Sequence, residues 1–304
     1  MRFVHEVEVE RVLTPALALE AVQRAFWALS AGHMTMPQRS SLPATGGVYL
    51  VMPCSASGVG LGTKLVTVHG ENATRGLPTI HSSYMLQSDV TGELEAVIEA
   101  RAMTERRTAA VSALAAWHLM RSDARVLGIV GAGPQARAQL EAHMAAHPFE
   151  RVLIWNRSLE AAQKLAREWN ATLAPNLETL VRESDLISSA TRATDGMIRG
   201  EWLRPGTHLD LVGAFTADMS EADTNAIKIS SVTVDKLEAA QNGAGELIQA
   251  ARHGWDWNTM TELSSLVDGS KLGRTSSDQI TLFKSVGLAV EDLFAARAVI
   301  DALA

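Results

Sequence analysis

The stretch Val126-Leu127-Gly128-Ile129-Val130-Gly131-Ala132-Gly133-Pro134-Gln135-Ala136 constrains this chain more than any other. It reads as an apolar strand, a tight glycine turn and a helix start, and it fits G-x-G-x-x-A with Gly131, Gly133 and Ala136 in the three small positions. Gly131 permits the turn, Gly133 lets the backbone approach a pyrophosphate, and Ala136 lets the helix pack close to the sheet. The pyrophosphate of a dinucleotide would rest on the helix N-terminus, where unpaired N–H groups and the dipole favour an anion. Pro134 suits the first helical turn because no N–H is lost there. A glycine turn alone can be free of ligand. The flanking strand and helix, and a second strand ending where the ribose belongs, select the dinucleotide reading.

From residue 125 onward, strand-like and helical runs alternate: strands at 125–130, 151–155, 186–190, 208–212 and 230–235, with helices at 134–146 and 158–169. Such alternation predicts a parallel sheet with helices on its faces. A last helical stretch is expected over 279–303, packing back against the first domain. The first third has a different texture. Thr14 caps a helix with Pro15 at its first position, and Leu17, Ala21, Phe26 and Leu29 recur at helical spacing up to Gly32. Short β-like runs follow at 47–52, 59–68, 79–86 and 93–99, the last two joined by a turn at Thr91-Gly92. A packed linker helix is expected over 104–120. The fold class is therefore α/β: a Rossmann-type doubly wound parallel sheet domain over 116–287, plus an α+β substrate-binding and dimerisation domain over 1–115, completed by a C-terminal helix at about 288–304.

The second strand of the alternating half ends at Asn156-Arg157-Ser158. An enzyme using NAD usually places Asp or Glu here to hold the ribose 2′-hydroxyl. Asn156 cannot repel a phosphate, and Arg157 can pair with one. Ser158 reads as a helix N-cap, so Arg157 lies near the positive end of a helix, a conflict that a bound 2′-phosphate would remove. An exposed, solvated arginine is the alternative. NADP(H) is preferred to NAD(H) on these grounds. The cofactor-binding set is Gly131, Gly133, Pro134, Gln135, Ala136, Asn156, Arg157 and Ser158, with Thr191 and Gly213 following later strands.

Composition removes several other classes. The 304 residues are enough for two domains and a substantial core. A formal net charge of −7 argues against nucleic acid or an anionic membrane as the main partner. The apolar runs are too short for a transmembrane helix, and residues 1–6 have no apolar segment of the secretory kind, so no signal peptide is expected. One cysteine, Cys54, leaves no internal disulfide and no Cys-rich metal site. No metal is expected, and a reducing, cytoplasmic setting follows by default.

The first domain carries charges among apolar residues. Lys64 shares one strand face with Gly62, Val66 and Val68; Thr79, His81 and Ser83 share a face of another; and Arg107 opens Arg107-Thr108-Ala109-Ala110 on a helix. Taken singly, a strand lysine is more often exposed, and a lone histidine is more often structural than catalytic.

Taken together, Gly62-Thr63-Lys64, Gly76-Leu77-Pro78-Thr79, Asp89-Val90-Thr91-Gly92, Arg107-Thr108-Ala109-Ala110, Gly131-Ala132-Gly133 and Phe283-Lys284-Ser285-Val286-Gly287 occur in the order and spacing of one family. Over nearly its whole length the chain resembles the ornithine cyclodeaminase/mu-crystallin family. The resemblance implies a homodimer built through the first domain and a site in the cleft between that domain and the parallel sheet. It also implies that Arg39, Lys64 and Arg107 meet a substrate carboxylate, with Thr79 nearby. Three cations around one carboxylate offset its burial and fix its orientation.

Two departures bear on the reaction. Cyclodeaminases of the family carry an Asp just after a Val-Gly-x stretch, where this chain has Val212-Gly213-Ala214 followed by Phe215. They also carry a Glu shortly before a Met-Pro pair, where Leu50-Val51 precedes Met52-Pro53. An aromatic ring and an aliphatic chain cannot satisfy a second ammonium group. Leu50, Met52 and Phe215 suit the methylenes of a small ring instead. The run from Leu211 to Asp223 is similar to that of the family's pyrroline-2-carboxylate reductases. The resemblance therefore implies reduction of a cyclic ketimine carboxylate such as Δ1-pyrroline-2-carboxylate or Δ1-piperideine-2-carboxylate. Lys64, His81 or water would supply the proton. Ornithine cyclodeaminase, with Asp218 taking the Asp role, alanine dehydrogenase and a crystallin-like ligand-binding protein remain the alternatives.

Overall fold

The computed structural model describes residues 1–304, apart from the side chain of Ala73. The chain divides into two units: Met1–Arg107 with Leu288–Ala304, and Thr108–Gly287.

The first unit opens with β1 (Arg2–Val4), α1 (Glu6–Val12) and α2 (Pro15–Ser30). Thr14 starts α2 as the sequence predicts: its side chain accepts from the Leu17 N–H at 3.2 Å, with Pro15 in the first turn. Then come β2 (Met34–Thr35), β3 (Ser40–Ala44), β4 (Gly47–Ala56), β5 (Gly60–Val68), β6 (Ile80–Gln87) and β7 (Leu94–Glu99). Their order in the sheet is β1-β7-β6-β5-β4-β2, with β3 also pairing β4. All pairs are antiparallel except β1 with β7. Burial alternates along β4 from Leu50 and along β5 up to Val66, so Leu50, Met52, Cys54 and Ala56 share the buried face with Gly60, Gly62, Lys64 and Val66. Helix α3 (Arg101–Leu119) follows β7.

The second unit runs through β8 (Val126–Val130), α4 (Pro134–Ala146), β9 (Arg151–Trp155), α5 (Leu159–Glu168), β10 (Thr172–Leu173), α6 (Leu177–Glu183), β11 (Leu186–Ser189), β12 (His208–Leu211), α7 (Thr224–Lys228), β13 (Ser231–Val234), α8 (Leu237–Gly243), α9 (Gly245–Arg252), β14 (Thr261–Glu262), α10 (Leu263–Val267) and β15 (Thr281–Lys284). The eight strands lie in the order β10-β9-β8-β11-β12-β15-β13-β14, and every pair is parallel. The order reverses beside β8, so the topological switch point, where doubly wound sheets bind ligands, lies at the Gly131 turn and the end of β11.

One expectation fails. The helix expected over 279–303 begins only at Ala289, as α11 (Ala289–Ala302), and Thr281–Lys284 is a fully buried strand in the second unit's sheet. Helix α11 returns to the first unit, where it packs on α2 and on β4, β5 and β6. It is buried on nearly all sides, from Ala289 to Val299, which is why its few polar residues must find partners inside the protein.

Candidate active site

In the second unit the glycine turn has the form a dinucleotide requires. Gly131 adopts φ +119°, and a Cβ there would approach the Ala190 carbonyl to 2.8 Å. A Cβ on Gly133 would meet nothing within 4 Å, and Gly133 caps α4 with no side-chain bond to the helix. The approach to the first turn of α4 at Gly133 is therefore open beside a helix N-terminus, as a pyrophosphate needs, and Pro134 takes the one position there that loses no N–H. At the end of β9, Asn156 Nδ2 donates to the Ser158 carbonyl at 3.1 Å, and the Ser158 hydroxyl caps α5. Arg157 is exposed and has no ion-pair partner among the described residues. These groups fit a bound dinucleotide. Thr191 and Gly213 each lie two residues past the end of β11 and β12, neighbours in the sheet, and both bond to the buried carboxylate of Glu221. Phe215 is half-buried, whereas Asp218 is exposed and accepts from the Thr216 hydroxyl at 2.6 Å.

In the first unit, Lys64 and Arg107 meet. Lys64 is 1% exposed and Arg107 4%. Lys64 Nζ donates to Asp292 Oδ1 at 2.8 Å and lies 2.7 Å from Oδ2. Arg107 donates through Nε to the same Oδ1 at 2.8 Å and through Nη1 to Glu291. Two cations from the sheet and α3 thus face two anions from the first turn of α11, and the formal charges cancel. Burial, then the nearby Arg107 guanidinium, pull the Lys64 ammonium down to about 8 against the opposing attraction of Asp292. Burial also disfavours charge on Arg107, but Asp292 and Glu291 outweigh it and hold the guanidinium firmly protonated. Beside them Tyr84 is fully buried, its hydroxyl lying where a Cβ on Gly62 would go. That is why the Gly62-Thr63-Lys64 run needs glycine two residues before the lysine. Burial, then the Asp292 charge, push the Tyr84 phenol well above its ordinary range.

The other candidates of this unit divide by sheet face. Met52 pairs with Lys64, and Leu50 with Val66, so both lie on the buried face with the lysine. Arg39 is half-buried and stands immediately before β3, whose first residue, Ser40, pairs with Val51. Thr79 is half-buried just ahead of β6, its carbonyl accepting from the His69 N–H at 2.8 Å. His81 is exposed and pairs with Thr67, on the opposite face from Lys64, whose partner on β6 is Tyr84. The sheet does not bring His81 to the lysine. Glu291, Asp292 and Glu221 are absent from the sequence-derived set. Adjacent acidic residues in an otherwise apolar helix ask for partners, but at Glu291 and Asp292 that signal is masked by their place in a first turn, where the helix dipole already accounts for acidic residues.

A model of the ornithine cyclodeaminase/mu-crystallin family matches residues 1–304. The Δ1-pyrroline-2-carboxylate reductase of Paracoccus denitrificans is 38% identical over 297 residues, spanning 91% of this chain and 93% of the relative. The ketimine reductase mu-crystallin of Rattus norvegicus is 34% identical over 288 residues, spanning 93% and 90%. Among solved structures, Thermococcus litoralis Δ1-pyrroline-2-carboxylate reductase in complex with NADH and L-proline superposes with a TM-score of 0.96 at 31% identity, covering 99% of this chain and 97% of that one. With the parallel sheet, the open glycine turn and the buried Lys64–Arg107 pair, these matches show that the chain belongs to the ornithine cyclodeaminase/mu-crystallin family.

Proposed function

We propose that this protein, an NAD(P)-dependent oxidoreductase acting on carbon–nitrogen bonds, reduces a cyclic ketimine carboxylate to the cyclic amino acid and prefers NADPH to NADH. Δ1-Pyrroline-2-carboxylate and Δ1-piperideine-2-carboxylate are the proposed substrates. The observation that carries the reading is the pairing of Lys64 and Arg107 with carboxylates already committed to them, while Leu50 and Phe215 stand where the family's cyclodeaminases place carboxylates. Lys64 offers one of its three N–H groups to Asp292, and Arg107 Nη2 donates to neither acidic residue. Charged donors thus remain for a planar substrate carboxylate. Arg39 completes the proposed anchor, with Thr79 beside it. Lys64, able to lose its proton near pH 8, is suited to protonating the ring nitrogen. When bound, the reduced nicotinamide supplies a hydride to the imine carbon. Arg157, exposed and unpaired, is available for a 2′-phosphate.

A homodimer and a cytoplasmic setting belong to the same proposal. The face of the first unit's sheet opposite α11 exposes the apolar side chains of Phe3, Leu42 and Met85, which association of two copies through this unit would cover. The lone cysteine is buried and unpaired, as suits a reducing compartment. The functional test is NADPH oxidation with each ketimine acid, set beside ammonia release from ornithine.

A further inference from the structure

Three strands of the second unit end in polar groups that are buried and mutually bonded. Glu221 is fully buried, and its carboxylate collects five donors. Oε1 accepts from the Ser189 hydroxyl at 2.6 Å, the Thr191 N–H at 2.7 Å and the Thr191 hydroxyl at 2.8 Å. Oε2 accepts from the N–H groups of Gly213 at 2.6 Å and Ala214 at 3.2 Å. One oxygen therefore gathers the exit of β11 and the other the exit of β12. The two exits are tightly packed: a Cβ on Gly213 would overlap the Thr191 backbone. The third strand end is tied to the same place. Lys284, the last residue of β15, donates to the Ala214 carbonyl at 2.5 Å and to Glu246 at 3.3 Å, and Glu246 in turn accepts from the Glu221 N–H at 3.3 Å. Glu221 is itself held from behind, since its carbonyl accepts from Ile198 and Ala222 bridges the same residue.

A carboxylate is expensive to bury, and full burial does raise the Glu221 carboxyl above its usual range against the nearby Lys284 charge. Three backbone N–H donors divided between its two oxygens mark a built acceptor, because those donors cannot turn away. The loops it joins emerge from the carboxyl ends of adjacent parallel strands, next to the Gly131 turn, the place where doubly wound sheets hold dinucleotides.

We infer that Glu221 is a positioning residue for the cofactor: it clamps the Thr191 and Gly213–Ala214 loops into the shape on which the dinucleotide rests, without touching it. The inference rests on the dinucleotide reading above. At metal sites, residues that orient the direct ligands from one remove cost roughly ten- to a hundredfold when lost, and a comparable factor is expected for a residue that orients cofactor-binding loops. Glu221→Gln places an amide NH2 against one of the two donor sets, so one loop must release.

The test is direct binding of NADPH and of NADH, followed by nicotinamide fluorescence, with unfolding temperature measured on the same samples. Folded Glu221→Gln protein should bind both cofactors at least about tenfold more weakly and by the same factor. A contact to the 2′-phosphate would instead change only NADPH. Ser189→Ala removes one of the five donors from a buried site beside the loop and should weaken both cofactors about threefold. It decides the matter if the glutamine variant does not fold. Wild-type affinity in the folded glutamine variant, or in Ser189→Ala should that be the only folded variant, overturns the inference. Failure of the wild-type protein to bind either nucleotide would instead overturn the dinucleotide reading.

Discussion

Lys64 and Arg107 share one acceptor, Oδ1 of Asp292, each at 2.8 Å. Residues 43 positions apart in sequence are thereby held with their remaining N–H groups in a fixed relation, and Glu291 steadies the arginine from its other end. Breaking such an array from one side is costly. Asp292→Asn removes the charge between two buried cations and should destabilise the protein by roughly 3–5 kcal/mol. Urea unfolding checks the stability. In the folded fraction kcat/KM for the ketimine should fall, while NADPH affinity, proposed to depend on the second unit, should stay unchanged.

The alkaline limb of the activity profile should belong to Lys64. Its ammonium is pulled down to about 8 by burial and by Arg107, so as pH rises through that value the charge is lost, and the carboxylate anchor and proton source go with it. kcat/KM should be level below pH 8 and decline above it. Lys64→Met should be about ten- to a hundredfold slower and lack that limb, because charge-assisted hydrogen bonds are worth about 1.5–3 kcal/mol. An unchanged alkaline limb in the variant would assign it elsewhere.

Arg157→Ala should weaken NADPH by about ten- to a hundredfold and leave NADH nearly unaffected, by the same magnitude for a charge-assisted contact. Equal affinities before and after would leave Arg157 as a solvated surface residue.

Acid stability should depend on His208. Its Nδ1 lies 2.9 Å from the Thr281 hydroxyl, which donates to the Leu119 carbonyl, so Nδ1 carries the proton in the neutral ring. Full burial lowers its pKa to about 3; the Asp210 charge opposes the shift, and His143 and Arg274 add to it. The unfolded chain takes up a proton near pH 6.5 and the folded one only near pH 3. Stability is thus fully present above 6.5 and lost as pH falls toward 3, by roughly 2 kcal/mol at pH 5. His208→Asn can keep a donor toward Thr281. The difference between its urea midpoints at pH 7.5 and pH 5 should be smaller than that of the wild type.

Much of the fold was legible because its signals are local. The strand, glycine turn and helix at 126–146 mark their own boundaries, and Thr14 and Ser158 cap the helices predicted from them. Strand β15 was not legible. A four-residue parallel strand buried on both faces has no alternation to distinguish it from a helix, so Thr281–Lys284 merged with the helical pattern beyond it. In the candidate site, Lys64 and Arg107 could be named from their motifs, but their carboxylate partners could not. Acidic residues in a first turn already have a local explanation in the helix dipole. The pairing depends on α11 returning to β5 over 228 residues, from Lys64 to Asp292. His81 shows the complementary limit. Parity places it with Thr79 and Ser83 on β6, but its separation from Lys64 needs the inter-strand register, which only the paired sheet defines.

The reaction is tested most directly by giving the unmodified protein Δ1-pyrroline-2-carboxylate, Δ1-piperideine-2-carboxylate and ornithine in parallel. Oxidation of NADPH is measured with the first two and ammonia release, with catalytic NAD, with the third. Phe215 and Leu50 offer no counter-charge to a second ammonium group, and burying one unpaired costs several kcal/mol. NADPH oxidation should be rapid with at least one ketimine, and ammonia from ornithine should be negligible. Robust ornithine-dependent ammonia release with no ketimine reduction would contradict the proposed reaction.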